Sequence, residues 1–180
     1  MTHITLNLTG KFMPIDRGDM FEDPLHEFLQ SKEYGIVDGG GSALQANGEI
    51  DTVDVEIYLN DGVDVSKVID EMTEFLSQEV GVPKGSKWIF EDKKIELGEY
   101  EGLGMYFNVD PDKVNVEELQ NILNDSFAIL GKKVLYTSNR LNDNVTVIYY
   151  YGDAYDEMER ILSDFMKEKY SHLDITLKQL

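Results

Sequence analysis

The sequence predicts an α+β protein built from two similar halves, each with an antiparallel sheet and with its helices on one face of that sheet. Segments that alternate apolar and polar residues, as half-buried strands do, are separated by segments with an apolar stripe at helical spacing. The same order of strands and helices occurs twice along the 180 residues. An Asn47-Gly48 pair between two strand-like segments is typical of a β-hairpin.

Residues 1–92 form the first predicted half, in the order β-α-β-β-α-β. Pro24 suits the first turn of a helix, where its missing N–H needs no partner. The predicted elements are a strand over His3–Phe12, a helix from Asp23, strands over Gly35–Ala46 and Glu49–Leu59, a helix over Asp64–Glu79 and a strand over Lys87–Phe90.

Residues 93–180 form the second predicted half and repeat this order, with the boundary near Glu91–Lys94. Asn115 and Glu118 have the spacing of a capping box, and Asp153 suits the N-cap of the last helix. The predicted strands are Ile95–Asn108, Lys132–Asn139, Val145–Tyr151 and Asp174–Leu180, with one helix after the first and another after the third.

The two halves can be aligned with each other, which indicates an internal duplication. Val53–Leu59 matches Val145–Tyr151, and the helix after each of these strands has the same apolar spacing. The order of elements resembles the ferredoxin-like, split β-α-β motif, in which crossovers are right-handed. This resemblance is one of architecture only. Because the fold hosts many unrelated activities, it names no function.

The composition is acidic, with 35 Asp and Glu against 16 Lys and Arg and a formal net charge of −19. Binding to nucleic-acid phosphates or to anionic lipid requires clustered Lys and Arg, so neither partner is expected. The absence of Cys excludes thiolate catalysis and zinc sites built on Cys. No apolar stretch approaches the roughly 20 residues of a membrane span, and no signal-peptide pattern is visible. We therefore expect a cytoplasmic protein.

The second strand of the first hairpin carries a set of acids. Alternation places Asp54, Glu56 and Tyr58 on the face away from the helices, while Glu49 and Asp51 lie near the turn. These carboxylates could form a solvated sheet face, a docking patch for a cationic partner or a Ca²⁺ or Mg²⁺ site. The metal site is disfavoured because the spacing of a Ca²⁺-binding loop is absent.

A run of three glycines, Gly39–Gly41, lies on the opposite strand of this hairpin. With a two-residue turn, Asp54 would lie opposite Gly41 and Glu56 opposite Gly39. No helix follows the run, so a phosphate-binding loop is not indicated. We predict a β-bulge, or a place where another group approaches the backbone closely.

Three consecutive tyrosines occur in the matching strand of the second half. We expect Tyr149 and Tyr151 to face the helix-covered core, and Tyr150 to share the uncovered face with Ile148. Tyr58 and Tyr150 would then occupy matching positions. Such a face could join the two halves, form a homodimer or recognise a basic partner.

No catalytic residue, metal site or cofactor is predicted. The three histidines, His3, His26 and His172, are scattered and lack the spacing of metal ligands. The Gly-x-Ser-x-Gly sequence of a nucleophile elbow is absent. Paired carboxylates for glycoside hydrolysis cannot be singled out among 35 acids.

The sequence predicts a non-catalytic acidic binding protein that engages a basic protein partner, for example as an inhibitor of a nuclease or as an immunity-type protein. The predicted partner-binding residues are Asp54, Glu56, Tyr58, Glu49, Asp51 and Tyr150. Immunity proteins of bacterial nuclease toxins are similar in size, acidity and lack of cysteine. The alternative is an enzyme or small-ligand protein that uses a cleft between the two halves, since domain junctions are common ligand sites.

Overall fold

The computed structural model of the chain forms two compact units, Met1–Glu99 (unit 1) and Tyr100–Leu180 (unit 2). Each unit contains one antiparallel sheet with helices. The structure describes residues 1–108, 115–131, 134–142 and 145–180, and only the backbone of 138–142.

Unit 1 has a five-stranded sheet in the order β2-β3-β1-β4-β5. The first four strands in this order are arranged as in the ferredoxin-like motif, and β5 is an addition at the edge. The elements are β1 (Thr2–Leu8), α1 (Pro14–Arg17), a π turn (Gly18–Glu22), α2 (Asp23–Ser31), β2 (Gly35–Leu44), β3 (Ile50–Leu59), α3 (Val65–Glu79), β4 (Ser86–Phe90) and β5 (Lys93–Leu97).

Unit 2 has a four-stranded sheet in the order β7-β8-β6-β9, which repeats the first four positions of unit 1. The predicted fold class, two tandem ferredoxin-like halves with antiparallel sheets, is therefore confirmed. The elements are β6 (Glu101–Asn108), α4 (Val116–Leu130), β7 (Leu135–Asn142), β8 (Val145–Gly152), α5 (Tyr155–Lys169) and β9 (Ile175–Gln179).

The core of unit 1 follows from alternation in its central strands. Side chains at every second position are fully buried, and α3 adds four apolar residues. Trp88 faces α3, where its indole N–H donates to Thr73 Oγ1 at 2.8 Å. Burial of each large apolar side chain contributes about 1.5–3 kcal/mol. The buried residues include Ile4, Leu6, Leu8, Val53, Val55, Ile57, Val68, Ile69, Met72 and Leu76.

The core of unit 2 lies between its sheet and the helices α4 and α5. Tyr150 is part of this core, and its hydroxyl lies 2.8 Å from Ser126 Oγ in α4. The other buried members are Leu103, Met105, Phe107, Ile122, Ile148, Met158, Leu162, Phe165 and Met166.

The predicted face of β8 is wrong. Ile148 and Tyr150 face the helices, because Met105 pairs with Ile148 as Leu6 pairs with Val55 in unit 1. The alignment of the halves was therefore one residue out of register, and such a slip moves every side chain to the other face. From residue 147 onwards β8 is buried on both faces, so its sequence carries no alternation that could fix the register.

A single predicted strand over Ile95–Asn108 is also wrong, because the structure forms two strands there. The first, β5, pairs with β4 in unit 1, with Ile95 opposite Trp88. Gly98 then turns the chain at φ +93°, and Glu99 N–H donates to Val82 O at 3.0 Å. The division between the units accordingly follows Glu99, whereas the sequence placed it near Glu91–Lys94.

The first helical segment begins at Pro14, earlier than the predicted start at Asp23. The segment continues through the π turn, in which Asp23 N–H donates to Gly18 O. Pro24 has no N–H to donate, and it follows directly on this turn at the beginning of α2. The first strand, predicted to reach Phe12, ends at Leu8.

The turn of the β2–β3 hairpin is longer than the predicted two residues. Gln45 N–H donates to Glu49 O at 2.7 Å, and Gly48 N–H donates to Gln45 O at 2.9 Å. Gly48 has φ +84°, as expected for a type I turn followed by a bulge. A register shift after Ala43 compensates for the extra residue.

None of the helices in the described part of the chain has the length and apolarity that a membrane span requires.

Candidate functional site

The outward side chains of β1 and β3 form a polar face on the side of the sheet away from Trp88 and α3. Thr5 lies opposite Glu56, and Asn7 lies opposite Asp54. We call this surface the acidic face of unit 1; it comprises His3, Thr5, Asn7, Asp54, Glu56 and Tyr58.

The Glu56 carboxylate is held by two neighbours on β1. Thr5 Oγ1 donates to Glu56 Oε2 at 3.0 Å, and His3 Nε2 contacts the same oxygen. The side chain of Glu56 is 27% exposed, whereas that of His3 is 52% exposed. The carboxylate is therefore fixed in position while part of it remains open to solvent.

The Asp54 carboxylate is held in a similar way. Asn7 Nδ2 donates to Asp54 Oδ1 at 2.6 Å, and Asn7 itself is buried. Asp54 is half-buried. A carboxylate that uses one oxygen for a fixed hydrogen bond keeps further lone pairs for a ligand.

Tyr58 extends the face beyond the two carboxylates. Its ring stacks on His3, with the ring centroids 5.0 Å apart and the planes at 27°. Tyr58 is half-buried, so part of its side chain remains accessible to solvent. Aromatic ring faces attract Arg and Lys side chains.

The glycine run on β2 leaves open space beside these acids. A bulge lies between Val37 and Gly40, as the sequence predicted, and Gly41 lies opposite Asp54. A Cβ atom at Gly41 would meet no atom within 4 Å. A Cβ atom at Gly39 would meet only Glu56, at 3.8 Å.

The other side of the same strand is tightly packed. Arg17 Nε donates to Glu22 Oε1 at 2.6 Å, and Arg17 also donates to Gly41 O at 3.0 Å. A Cβ atom at Gly40 would lie 2.5 Å from Asp54 O and 2.7 Å from Glu22 Oε1. Glycine is therefore required at position 40 by a close approach, the second of the two predicted reasons for the run.

The remaining predicted binding residues do not join the acidic face. Glu49 is buried at the hairpin turn, and Asp51 is exposed there and accepts from Gln45 Nε2 at 3.1 Å. Tyr150, expected on an uncovered face, lies in the core of unit 2 instead.

The residues of β1 that hold the acids were missed in the sequence. His3, Thr5 and Asn7 alternate with apolar residues, which is the signal that places them on one polar face. What the sequence could not supply is the register of β1 against β3, which sets Thr5 opposite Glu56 and Asn7 opposite Asp54.

The chemistry available on the acidic face is recognition of cations. Ionised carboxylates only accept hydrogen bonds, and they bind guanidinium groups well. In the described ranges of the chain, no group of three or more His, Asp or Glu is arranged to hold a metal ion.

Two grooves lined by described residues lie elsewhere, each within one unit. A groove of about 450 Å³ in unit 1 is lined by Asp19, Asp23, Glu27 and the stacked rings of Phe28 and Phe75. A groove of about 700 Å³ in unit 2 lies between α5 and β9. Neither includes the acidic face.

The shifted pKa values in unit 1 belong to a surface ion pair. Lys32 Nζ donates to Glu71 Oε2 at 2.9 Å, which lowers the pKa of Glu71 and raises that of Lys32. Lys32 directly follows α2 and Glu71 lies on α3, away from the acidic face. An enzyme or ligand site between the halves, the alternative function, stays a prediction.

Comparison with known proteins leaves the function open. No family model and no curated protein matches the chain. A putative monooxygenase from Fusobacterium nucleatum subsp. nucleatum ATCC 25586 is 18% identical, over 99% of this chain and 91% of that one, with a TM-score of 0.35. An unknown protein from Galdieria sulphuraria is 13% identical, over 99% and 98% of the two chains, with a TM-score of 0.29. At these TM-scores neither structure bears on the activity of this chain.

Proposed function

We propose that the chain is a non-catalytic binding protein whose acidic face engages a basic region of a protein partner. One observation carries the proposal. Asp54 and Glu56 are each held by hydrogen bonds from β1, and the glycines of β2 leave the space beside them open.

A fixed carboxylate suits an arginine or lysine of the partner. The side chains of Asp54 and Glu56 need little further ordering when they bind, so less conformational entropy is lost. A guanidinium group can form two parallel hydrogen bonds with a carboxylate. The Tyr58–His3 ring pair offers a neighbouring surface for the same kind of side chain.

The charge of the whole chain favours the same class of partner. A net charge of −19 attracts a basic protein over long range and raises the association rate at low salt. Nucleases and other nucleic-acid-binding proteins present basic surfaces that contact phosphates. The partner is accordingly of this class, with the present chain as an inhibitor or immunity-type protein. The interaction would take place in the cytoplasm, where a nuclease reaches the cell's nucleic acid.

The experiment is capture of a partner from the native host at low salt, followed by mass spectrometry. We expect the unchanged chain to capture a basic protein and the variant Asp54→Lys/Glu56→Lys to lose it. The control Asp70→Lys/Glu79→Lys makes the same change in net charge on exposed positions of α3 and should keep the partner.

Capture by the Asp54→Lys/Glu56→Lys variant would place binding on another surface. The association rate of the identified pair should also fall steeply as salt is added, because exposed charges are screened within about 10 Å at 0.1 M salt. A rate that does not depend on salt would contradict the electrostatic part of the proposal.

A further inference from the structure

Strand β9 is an edge strand whose counterpart in unit 1 is covered. It pairs with β6 and ends the strand order of its sheet, whereas β4, at the same place in unit 1, pairs on its other side with β5. Within the residues that the structure describes, unit 2 has no such fifth strand. An edge strand presents a row of unpaired N–H and C=O groups.

The open edge of β9 has an identifiable set of backbone groups. Leu180 N–H donates to Gly102 O at 3.0 Å, and Asp174 O accepts from β6. Because backbone groups alternate in direction along an antiparallel pair, those of Leu177 and Gln179 point away from β6. They can pair with one further strand.

The groove of about 700 Å³ runs along this edge, between β9 and α5. Apolar residues from both elements line it, among them Met166, Ile175 and Leu177. Ile175 and Leu177 are only partly buried by the core of unit 2. A structure placed beside β9 would cover them.

Four exposed charged residues of α5 also line the groove, and their order is self-complementary. Asp156, Arg160, Asp164 and Lys167 alternate in sign along the helix. The fifth charged residue of the lining, Glu159, is only partly exposed, and its carboxylate accepts from the Tyr155 hydroxyl at 2.9 Å. In the described part of the chain none of the other four forms an ion pair. An antiparallel copy of α5 would bring Asp156 beside Lys167 of the second copy, and Arg160 beside Asp164 of the second copy.

The geometry points to a homodimer in which β9 pairs antiparallel with β9 of a second copy, while the two α5 helices lie side by side. A two-fold axis perpendicular to the sheet produces both contacts and joins two four-stranded sheets into one. This interface is separate from the acidic face of unit 1, and it does not use Tyr58 or Tyr150.

A second copy fits this edge better than an unrelated strand, because the chain itself carries both the strand edge and the helix face that the contact requires. The same patch must complement itself in a two-fold dimer. The alternating charges meet that condition, and the apolar lining of one groove would receive side chains from the facing α5. Adjacent helices pack about 8–10 Å apart, which is about two strand spacings of 4.7–4.9 Å, so two helices can lie side by side over the joined sheet.

The test is the mass of the full chain in solution, measured by size exclusion with light scattering over a range of concentrations. We expect a species of twice the 20.5 kDa chain. Arg160→Asp and Asp164→Arg should each weaken the dimer by at least about tenfold, because each places like charges opposite one another on both sides of the axis. The double variant Arg160→Asp/Asp164→Arg should restore it.

These variants separate a local contact from general repulsion. Arg160→Asp makes the net charge more negative, Asp164→Arg makes it less negative, and both are expected to weaken the dimer. Asp70→Arg on α3 has the same charge change as Asp164→Arg and should leave the dimer unchanged. A monomeric wild-type chain, or a double variant that stays dissociated, would overturn the proposal.

A backbone variant tests the strand contact directly. Gln179→Pro removes an outward N–H on an exposed residue and leaves the hydrogen bonds to β6 in place. It should dissociate the dimer while the circular dichroism spectrum is kept. If a charge variant fails to fold, Gln179→Pro tests the dimer in its place. A Gln179→Pro chain that dimerises as tightly as the wild type would rule out the strand pairing.

Discussion

Tyr150 hydrogen-bonds Ser126 at 2.8 Å inside the core of unit 2, whereas Tyr58 stacks on His3 at the polar face of unit 1. Ser126 donates its own hydroxyl to Leu123 O at 2.9 Å, so the Tyr150 hydroxyl is the donor to Ser126. Burial raises the pKa of Tyr150 far above its usual value. The two tyrosines therefore have different roles, one structural and one available for recognition.

Replacement of Tyr150 by Phe should lower the free energy of unfolding by about 1 kcal/mol, the usual net value of one hydrogen bond. The ring stays buried, and Ser126 keeps its bond to Leu123 O. Urea unfolding of Tyr150→Phe, Ser126→Ala and the double variant measures the coupling. Additive effects of the two single variants would show that the bond is not formed.

Stability should fall as the pH rises above about 10, where tyrosine ionises in the unfolded chain. The pKa of Tyr150 is raised in the folded state, so its contribution is complete below pH 10 and is lost as the pH rises toward the folded value. Urea unfolding between about pH 8 and pH 11 should show this loss. The Tyr150→Phe variant should show a smaller one, and equal losses would exclude Tyr150 as the cause.

The outward position of Asp54, Glu56 and Tyr58 could be predicted, because buried and outward-facing residues alternate regularly from Val53 to Leu59. The position of Tyr150 could not. Val147, Ile148 and Tyr149 around it are all buried, so either register satisfies the apolar pattern. Only the pairing of β8 with β6 decides between the two faces.

Two adjacent glycines in the β2–β3 hairpin face opposite sides of the strand, one of them open and the other crowded. Gly41 faces open space beside Asp54, while Gly40 lies against Arg17 and Glu22. The difference follows from the alternation of side-chain direction along a strand.

Gly40→Ala should therefore destabilise the chain by about 1–3 kcal/mol, the usual cost of overpacking. Gly41→Ala, the matched control, should change the free energy of unfolding by less than about 0.5 kcal/mol. Thermal or urea unfolding of the two variants gives the comparison. Equal effects at the two positions would contradict the close approach of the helical segment to Gly40.

Most helices and strands could be predicted as elements, since their apolar periodicity is strong. The exceptions depend on partners distant in the chain. The charged segment Lys93–Leu97 has little apolar character of its own and becomes a strand by pairing with β4. The π turn before Pro24 has no sequence signature beyond the proline itself.

At the scale of the whole molecule, the two units share one strand order although their sequences align only weakly. This order could be predicted because it depends on the succession of helices and strands alone. The register between the halves, the fifth strand of unit 1 and the residues that hold Asp54 depend on pairing between strands.

The net charge of −19 should make stability sensitive to salt. Repulsion among exposed carboxylates opposes the compact state, and added salt screens it. The melting temperature should rise by a few degrees between about 20 mM and 300 mM sodium chloride. A melting temperature that falls would show that attractive ion pairs, such as Lys32–Glu71, outweigh the repulsion.

The outer strands of unit 1 also have a bearing on how the protein behaves when concentrated. β2 is interrupted by a bulge at its glycine run, and β5 exposes Lys93, Lys94 and Glu96. Both features discourage edge-to-edge strand pairing between molecules, which leads to fibrils. Stock solutions should therefore stay clear on long storage, with no growth in thioflavin fluorescence from this part of the chain.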